Sequence, residues 1–338
     1  MLNKAMIMAA GVGSRLEPLS SVVPKPLVPL ANVPTMDILV KHLKSFGIKD
    51  IVANTFYKAD DIKEHYETNN LGVNFKFIKE TELSGTAGGV KKCQFFFNEG
   101  EDFIIMSGDG LTDLNIEEAY ASHKKSGSIA TIVIKEIEKK ETFKYGIVVT
   151  DKNGFVDNFQ EKPSVEHAKS NLANTGIYIF NYKIFDFIPS NTFYDFAKNV
   201  FPSILNSGLK INTYEHKGYW SDIGSLDQYH QSNIDLLNHI LNSYKPVIHK
   251  TLTGQYVIGG NVIFGNNCNI EDSCIIGSNC YFGNNVTIKN SIIWDNVKIT
   301  NNVKIENSII LTGTHIQHSV KEQIISEKDL KQHVINTI

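Results

Sequence analysis

From Tyr256 onward, large apolar residues recur every six positions, and few architectures accommodate that interval. Ile258, Phe264, Ile270, Ile276, Phe282 and Ile288 keep the beat; after one five-residue step it resumes at Ile293, Ile299, Ile305 and Leu311. Glycine or an acidic residue often follows, as at Gly259, Gly265, Glu271, Gly277 and Gly283, and asparagine is abundant between the beats. A period of six matches neither an α-helix nor a β-strand. It suits a triangular prism in which each hexad forms one wall and three hexads close one coil, so ten beats predict roughly three coils. Cys268, Cys274 and Cys280 fall on the same beat. Residues six apart lie on different walls and no Cys-x-x-Cys pair is present, so buried thiols explain them better than a metal site.

The first half of the chain alternates strand-like and helix-like segments. Ala5–Ala9, Asp50–Asn54, Asn74–Ile78 and Phe103–Ser107 read as strands, and Thr35–Phe46, Asp60–Thr68 and Gly85–Phe97 as helices. Such alternation predicts a mainly parallel sheet with helices on both faces and ligands beyond the carboxyl ends of its strands. Residues 129–180 turn strand-rich, with a hairpin signal at Asp151-Lys152-Asn153-Gly154. Helices are expected again at Tyr194–Leu205 and Ser225–Leu241, and a terminal one at Ser326–His333. The expected domains are 1–242 and 256–318, with a linker at 243–255 and a tail at 319–338.

Between the first strand and the first long helix lies Ala9–Pro26, Ala-Ala-Gly-Val-Gly-Ser-Arg-Leu-Glu-Pro-Leu-Ser-Ser-Val-Val-Pro-Lys-Pro. Gly11 and Gly13 let backbone N–H groups close on a bulky anion. Arg15 and Lys25 add two cations, and Pro24 and Pro26 stiffen the segment carrying the lysine. Taken alone, Gly-x-Gly is equally an ordinary turn. The third glycine of a dinucleotide fingerprint is missing, and no Gly-Lys-Ser/Thr follows for a P-loop. Net charge is −3 over 338 residues, which gives no general attraction to nucleic acid or anionic membrane. Cations in this loop therefore belong to a site. No apolar run approaches the roughly 18 residues of a membrane span. The four cysteines are too few for a disulfide framework, and a cleaved leader would remove the loop itself, so a cytoplasmic location is expected.

Two carboxylates mark the other side of such a site. Asp109 follows an apolar strand between two glycines, and Asp222 sits in Trp220-Ser221-Asp222-Ile223-Gly224. Together with a polyphosphate loop they suit a shared Mg²⁺, although either alone serves equally as a turn or cap residue. In Glu161-Lys162-Pro163 the lysine suits a phosphomonoester and the glutamate sugar hydroxyls; Asn174-Thr175-Gly176 offers further polar contacts.

In this order and spacing, the loop motif, Gly85-Thr86-Ala87-Gly88, Gly108-Asp109, Glu161-Lys162-Pro163, Asn174-Thr175-Gly176 and the Asp222 turn resemble the sugar-1-phosphate nucleotidyltransferases over most of the chain. The resemblance implies a Rossmann-like α/β domain with a mixed sheet, followed by a short left-handed parallel β-helix of hexapeptide repeats. It also implies in-line attack of a sugar phosphate on the α-phosphorus of a nucleoside triphosphate, with pyrophosphate leaving and no covalent intermediate. Nucleotide contacts fall on Ala10, Gly11, Gly13, Ser14, Arg15, Lys25, Glu80, Gly85, Thr86 and Asp109. Sugar-phosphate contacts fall on Gly146, Glu161, Lys162, Asn174 and Thr175. Arg15, Lys25, Asp109 and Asp222 carry catalysis, the two aspartates holding Mg²⁺. Ser14 and Ser20 replace common threonines, Glu17 replaces a basic or polar residue, and Asp37 stands where a longer or aromatic residue is common; none removes a catalytic position.

Glu80, five residues before Gly85, suggests the base. A carboxylate accepts both guanine N1–H and N2–H and repels the adenine N1 acceptor. The expected substrates are therefore GTP and mannose 1-phosphate, with UTP, dTTP or ATP and another hexose or heptose 1-phosphate as alternatives. A catalytically silent subunit and an acyltransferase using His315 or His318 are alternatives of other kinds. A short prism with exposed end coils favours a homo-oligomer.

Overall fold

The computed structural model describes residues 2–238, 241 and 243–327. They form two compact units: described residues up to 13, with 23–27 and 35–222, make one, and residues 14–22, 28–34 and the described residues from 223 to 327 the other.

The first unit is built on a mixed sheet of nine strands. These are β1 (Lys4–Ala9), β2 (Asp50–Thr55), β3 (Asn74–Lys79), β4 (Asp102–Ser107), β5 (Ala130–Glu136), β6 (Gly146–Thr150), β7 (Val156–Glu161), β8 (Leu172–Asn181) and β9 (Ile211–Glu215). The main order is β7-β6-β8-β4-β1-β2-β3, with β5 pairing β8 and β9. The pairs β4-β1, β1-β2 and β2-β3 are parallel; β8 runs antiparallel to β4, β5 and β6. Side chains alternate between two cores. Met6, Val52, Phe103 and Ile105 pack into one; Ala5, Ile7, Ile51, Ala53, Ile104 and Met106 pack into the other. A sheet covered on both faces needs such continuous apolar runs rather than alternation. The parallel strands therefore end together, and β1, β2, β3 and β4 deliver Ala9, Thr55, Glu80 and Ser107 to one rim.

Helices α1 (Thr35–Ser45), α2 (Ala59–Thr68) and α3 (Gly85–Lys92) follow the first three strands, and α4 (Ile116–Ser126) lies beyond β4. The helix expected over Gly85–Phe97 ends at Lys92 and tightens into a 3₁₀ turn at Gln94–Phe96. The stretch expected as a helix over Tyr194–Leu205 is a π-helical turn, Phe196–Val200, running into α5 (Phe201–Asn206). Pro202, which lacks an N–H, sits in the first turn of α5, where that loss is tolerated.

His42 of α1 is 2% exposed, and its Nε2–H donates to the Leu114 carbonyl at 2.9 Å. Burial pulls its pKa down to about 4, the Leu114 bond offsetting only part of this. The unfolded chain titrates near 6.5, so below that pH it takes up a proton the folded chain refuses. This contribution to stability is complete above about pH 6.5 and is lost as pH falls toward about 4, by about 3 kcal/mol at most. Urea unfolding of His42→Gln across that window is expected to show a flatter pH dependence than wild type; parallel curves would refute the assignment.

The second unit holds the prism. Its walls are one sheet of six short strands and two of four, and every step between successive coils is parallel. Ile258, Ile276, Ile293, Ile310 and Ile325 stack in register up one wall. The strands complete four coils and begin a fifth at Ile324–Ile325, more than the three expected. The reason is that the beat takes a second five-residue step at Ile310, and the last wall shortens between Ile316 and Val320. Corner asparagines such as Asn261, Asn267, Asn279 and Asn285 have φ near +57°. This backbone region suits asparagine among residues with a Cβ. Their side chains also bond up the stack, Asn267 to Asn285 at 3.2 Å and Asn285 to Asn302 at 2.9 Å.

Cys274 and Cys280 are buried and donate to backbone carbonyls, and burial pushes both thiols up to about 11. The helix α6 (Leu226–Asn238), expected with the catalytic domain, groups with the prism. Trp294 Nε1–H donates to the fully buried Tyr229 hydroxyl at 2.9 Å. Ile248–Lys250, from the expected linker, pairs with Gln255–Ile258, and prism strands continue to Ile325. Most of the expected terminal helix lies outside the described residues.

Candidate functional site

At the rim of the first unit's sheet lies a cavity of about 380 Å³. The strand ends supply Ala9, Ala10, Gly11, Asn54, Glu80, Ser107 and Asp109, and Lys25, Gly85 and Thr86 also line it. Backbone crowding explains one glycine here. Gly108 N–H donates to the Met8 carbonyl at 2.9 Å, and a Cβ at Gly108 would stand 3.0 Å from that same oxygen. Glycine thus lets β4 turn over β1 and present Asp109.

Lys25 Nζ is ion-paired with Asp109 Oδ2, and the Ser107 hydroxyl donates to Oδ1. The two charged side chains are 14% and 18% exposed. Burial raises the Asp109 pKa, but the Lys25 charge and hydrogen bond, with Ser107, outweigh it and hold the carboxyl below its usual range. Gly110–Thr112 pairs antiparallel with Trp220–Asp222, which sets Asp222 opposite Gly110, the residue after Asp109. The Tyr145 hydroxyl donates to Asp222 Oδ1 at 3.3 Å, and the Tyr145 carbonyl accepts from Lys162 N–H at 3.1 Å. Gly146 is paired with Glu161, and a Cβ there would press on the Phe159 ring at 2.7 Å. Lys162 has φ +46° and an exposed side chain.

Asn174 Nδ2 donates to the Tyr178 hydroxyl at 2.9 Å where the register of β8 shifts. Thr175 is 4% exposed, and its hydroxyl donates to Val133 O at 2.7 Å and accepts from Ile177 N–H. The Thr175 hydroxyl, expected at the sugar, here braces β5 to β8. Thr86 keeps its place in the cavity, but its hydroxyl donates to Asp195 Oδ2 at 2.9 Å. Ser14 and Arg15 lie on an exposed 3₁₀ turn grouped with the second unit, just beyond Gly13 at φ +75°.

Glu80 differs most from expectation. It lines the cavity, yet its side chain is only 1% exposed. Oε1 accepts from Asn54 Nδ2 at 2.7 Å; Oε2 accepts from the Ser84 hydroxyl and from Lys92 Nζ at 2.8 Å. The pair of open acceptors expected for guanine is already engaged. Asn54, Ser107, Tyr145 and Lys92 were invisible to motif reading, though Asn54 and Ser107 stand where any parallel strand ends.

The register sets Asp222 opposite the residue after Asp109, and of these two carboxylates Asp109 lines the cavity while Asp222 does not; one or two carboxylates suffice for a Mg²⁺ that substrate phosphates complete. Among the described residues no cluster of three or more acidic, His or Cys side chains offers an all-protein cage. No helix of the described residues is long and apolar enough to cross a membrane.

Residues 4–239 match the nucleotidyl transferase family model, and residues 245–329 match the EIF2B subunit epsilon LbH domain. A UTP–glucose-1-phosphate uridylyltransferase from Synechocystis is 38% identical over 68% of this chain, which spans 62% of that relative's length. A glucose-1-phosphate adenylyltransferase from Clostridium acetobutylicum is 32% identical over 75% of this chain and 74% of its own. The mannose-1-phosphate guanylyltransferase catalytic subunit beta of Drosophila melanogaster is 32% identical over 76% of this chain and 68% of its own. Among solved structures, HddC from Yersinia pseudotuberculosis complexed with GMP-PN matches with a TM-score of 0.60, at 25% identity over 70% of this chain and all of its own. With its mixed-sheet domain and appended left-handed β-helix, the chain belongs to the nucleotidyl transferase family.

Proposed function

We propose that this protein transfers a nucleoside monophosphate from a nucleoside triphosphate to a sugar 1-phosphate, releasing pyrophosphate. The Lys25–Asp109 pair at the cavity, with Asp222 in register beside it, carries this reading. An incoming triphosphate competes with Asp109 for the Lys25 ammonium, which then neutralises the phosphates. Asp109 and Asp222 would hold Mg²⁺, whose charge when bound lowers the repulsion between the two anionic reactants. Lys162, with Glu161 and Gly146, orients the sugar phosphate so that its oxygen attacks the α-phosphorus. One P–O bond forms as the α–β P–O bond breaks, and alignment with charge neutralisation supplies the rate. Arg15 stays in this reading on its place in the loop sequence alone. Four free thiols accord with a cytoplasmic enzyme.

GTP with mannose 1-phosphate is the first substrate pair in this proposal. Its support is the guanylyltransferase relatives, since the Glu80 carboxylate at the cavity is already bonded. UTP with glucose 1-phosphate is the second, favoured by the three donors already on Glu80 and by the Synechocystis relative. Pyrophosphate release, measured with each common nucleoside triphosphate against several sugar 1-phosphates with and without Mg²⁺, tests both. Release from one pair only in the presence of Mg²⁺ is expected; silence from every pair would overturn the enzyme reading.

A further inference from the structure

Leu83 and Phe193 are 44% and 68% exposed, and both line the cavity described above. An exposed phenylalanine on a loosely held loop would need no explanation. Phe193 is not on such a loop. Tyr194 N–H donates to the Ser84 carbonyl at 2.9 Å, and the Tyr194 carbonyl accepts from Ala87 and Gly88 N–H at 3.0 and 3.1 Å. Asp195 takes the Thr86 hydroxyl, and Phe196 N–H donates to that same hydroxyl oxygen at 3.0 Å. Glycines permit the contact: a Cβ at Gly85 would collide with the Tyr194 carbonyl, and one at Gly88 would stand 2.9 Å from Thr192 O. The strap from Thr192 to Phe196 is thus fastened along the start of α3, and the aromatic ring it carries is left to solvent.

The cavity therefore joins two unlike surfaces. One is polar, with the Gly11 backbone and Lys25 to meet an anion and Asp109 to meet a cation bound with it; the other is apolar, made by Leu83 and Phe193. Lys162, Glu161 and Asn174, the sugar-phosphate candidates, are absent from its lining. A ligand that satisfies both surfaces carries a polyanion at one end and a flat apolar ring at the other. We infer that Phe193, backed by Leu83, grips the face of the nucleobase and is a binding residue for the nucleoside triphosphate. This rests on the nucleotidyl-transfer reading. Every base offers a π-face, so such a grip adds affinity without choosing the base.

The test uses the full chain as wild type, Phe193→Ala, Phe193→Tyr and Leu83→Ala. Each is assayed for pyrophosphate release and, by calorimetry, for binding of the nucleoside triphosphate and of inorganic tripolyphosphate. Phe193→Ala is expected to raise KM for the triphosphate at least about fivefold, the lower end for one base–aromatic contact, with kcat within about twofold. Phe193→Tyr should restore KM, Leu83→Ala should raise it less, and tripolyphosphate should bind all four proteins alike. An unchanged KM in Phe193→Ala would overturn the inference while leaving the enzyme reading intact. Equal weakening of tripolyphosphate would also overturn it, since the strap would then be acting on the whole site. A wild type that binds and turns over no nucleoside triphosphate would remove both.

Discussion

Lys25→Ala and Asp109→Ala are each expected to lower the kcat of pyrophosphate release by at least about 100-fold, the loss typical of removing one preorganised electrostatic group. The two side chains hold each other in place before any ligand arrives, so each substitution also strands a partly buried charge. Their effects should differ in pH dependence. In wild type, Asp109 is held ionised to below the usual carboxylate range, because Lys25 and Ser107 together outweigh the opposing effect of burial. A depressed carboxylate pKa keeps its contribution at neutral pH and gives it up only as pH falls through that low value. Removing the Lys25 charge leaves burial less opposed. The acid limb of kcat/KM should therefore move to higher pH in Lys25→Ala, whereas Ser107→Ala should move it less. Near-normal turnover in either alanine variant would contradict the assigned roles, and an unmoved acid limb in Lys25→Ala would detach Asp109 from the catalytic ionisation.

What the sequence made legible followed from periodic or local rules. The six-residue beat suited a prism, and the count of coils slipped where Ile310 and Leu311 are both apolar and both fully buried and where the last wall shortens between Ile316 and Val320. A beat that steps by five at Ile293 steps by five again at Ile310, and a pattern alone cannot tell which of two adjacent apolar residues stacks. Asp109 was readable because a buried strand followed by Gly-Asp-Gly has to end at a rim. Asp222 was named from its turn motif, but how it reaches Asp109 was hidden, since that rests on the short antiparallel pair of Gly110–Thr112 with Trp220–Asp222. The same limit hid Phe193, whose place depends on a carbonyl lying across Gly85 and Gly88. Thr175 shows a converse limit: a motif does not reveal that a hydroxyl already has two backbone partners.

Glu80→Ala is expected to destabilise the folded chain by about 2–3 kcal/mol, because it strands Lys92 and leaves Asn54 and the Ser84 hydroxyl without their acceptor. Breaking a fully buried ion pair by removing one partner costs about 3–5 kcal/mol; Lys92 is 30% exposed, and water recovers part of that. The functional consequence follows from what Asn54 does with its other end: its Oδ1 accepts from Ala9 N–H at 3.3 Å. Glu80 thus ties the ends of β1 and β2 to both ends of α3, the same backbone that lines the cavity. If bracing is its work, Glu80→Gln should raise KM for every nucleoside triphosphate by a similar factor and lower the urea midpoint as well, and Lys92→Met should do the same from the other side of the pair. If Glu80 instead reads guanine, Glu80→Gln should weaken GTP alone, and Lys92→Met should spare the choice among bases. The 1% exposure of the carboxylate and its three donors favour the first outcome. A selective loss of GTP would show that the brace opens when a base arrives, and base choice would then return to Glu80.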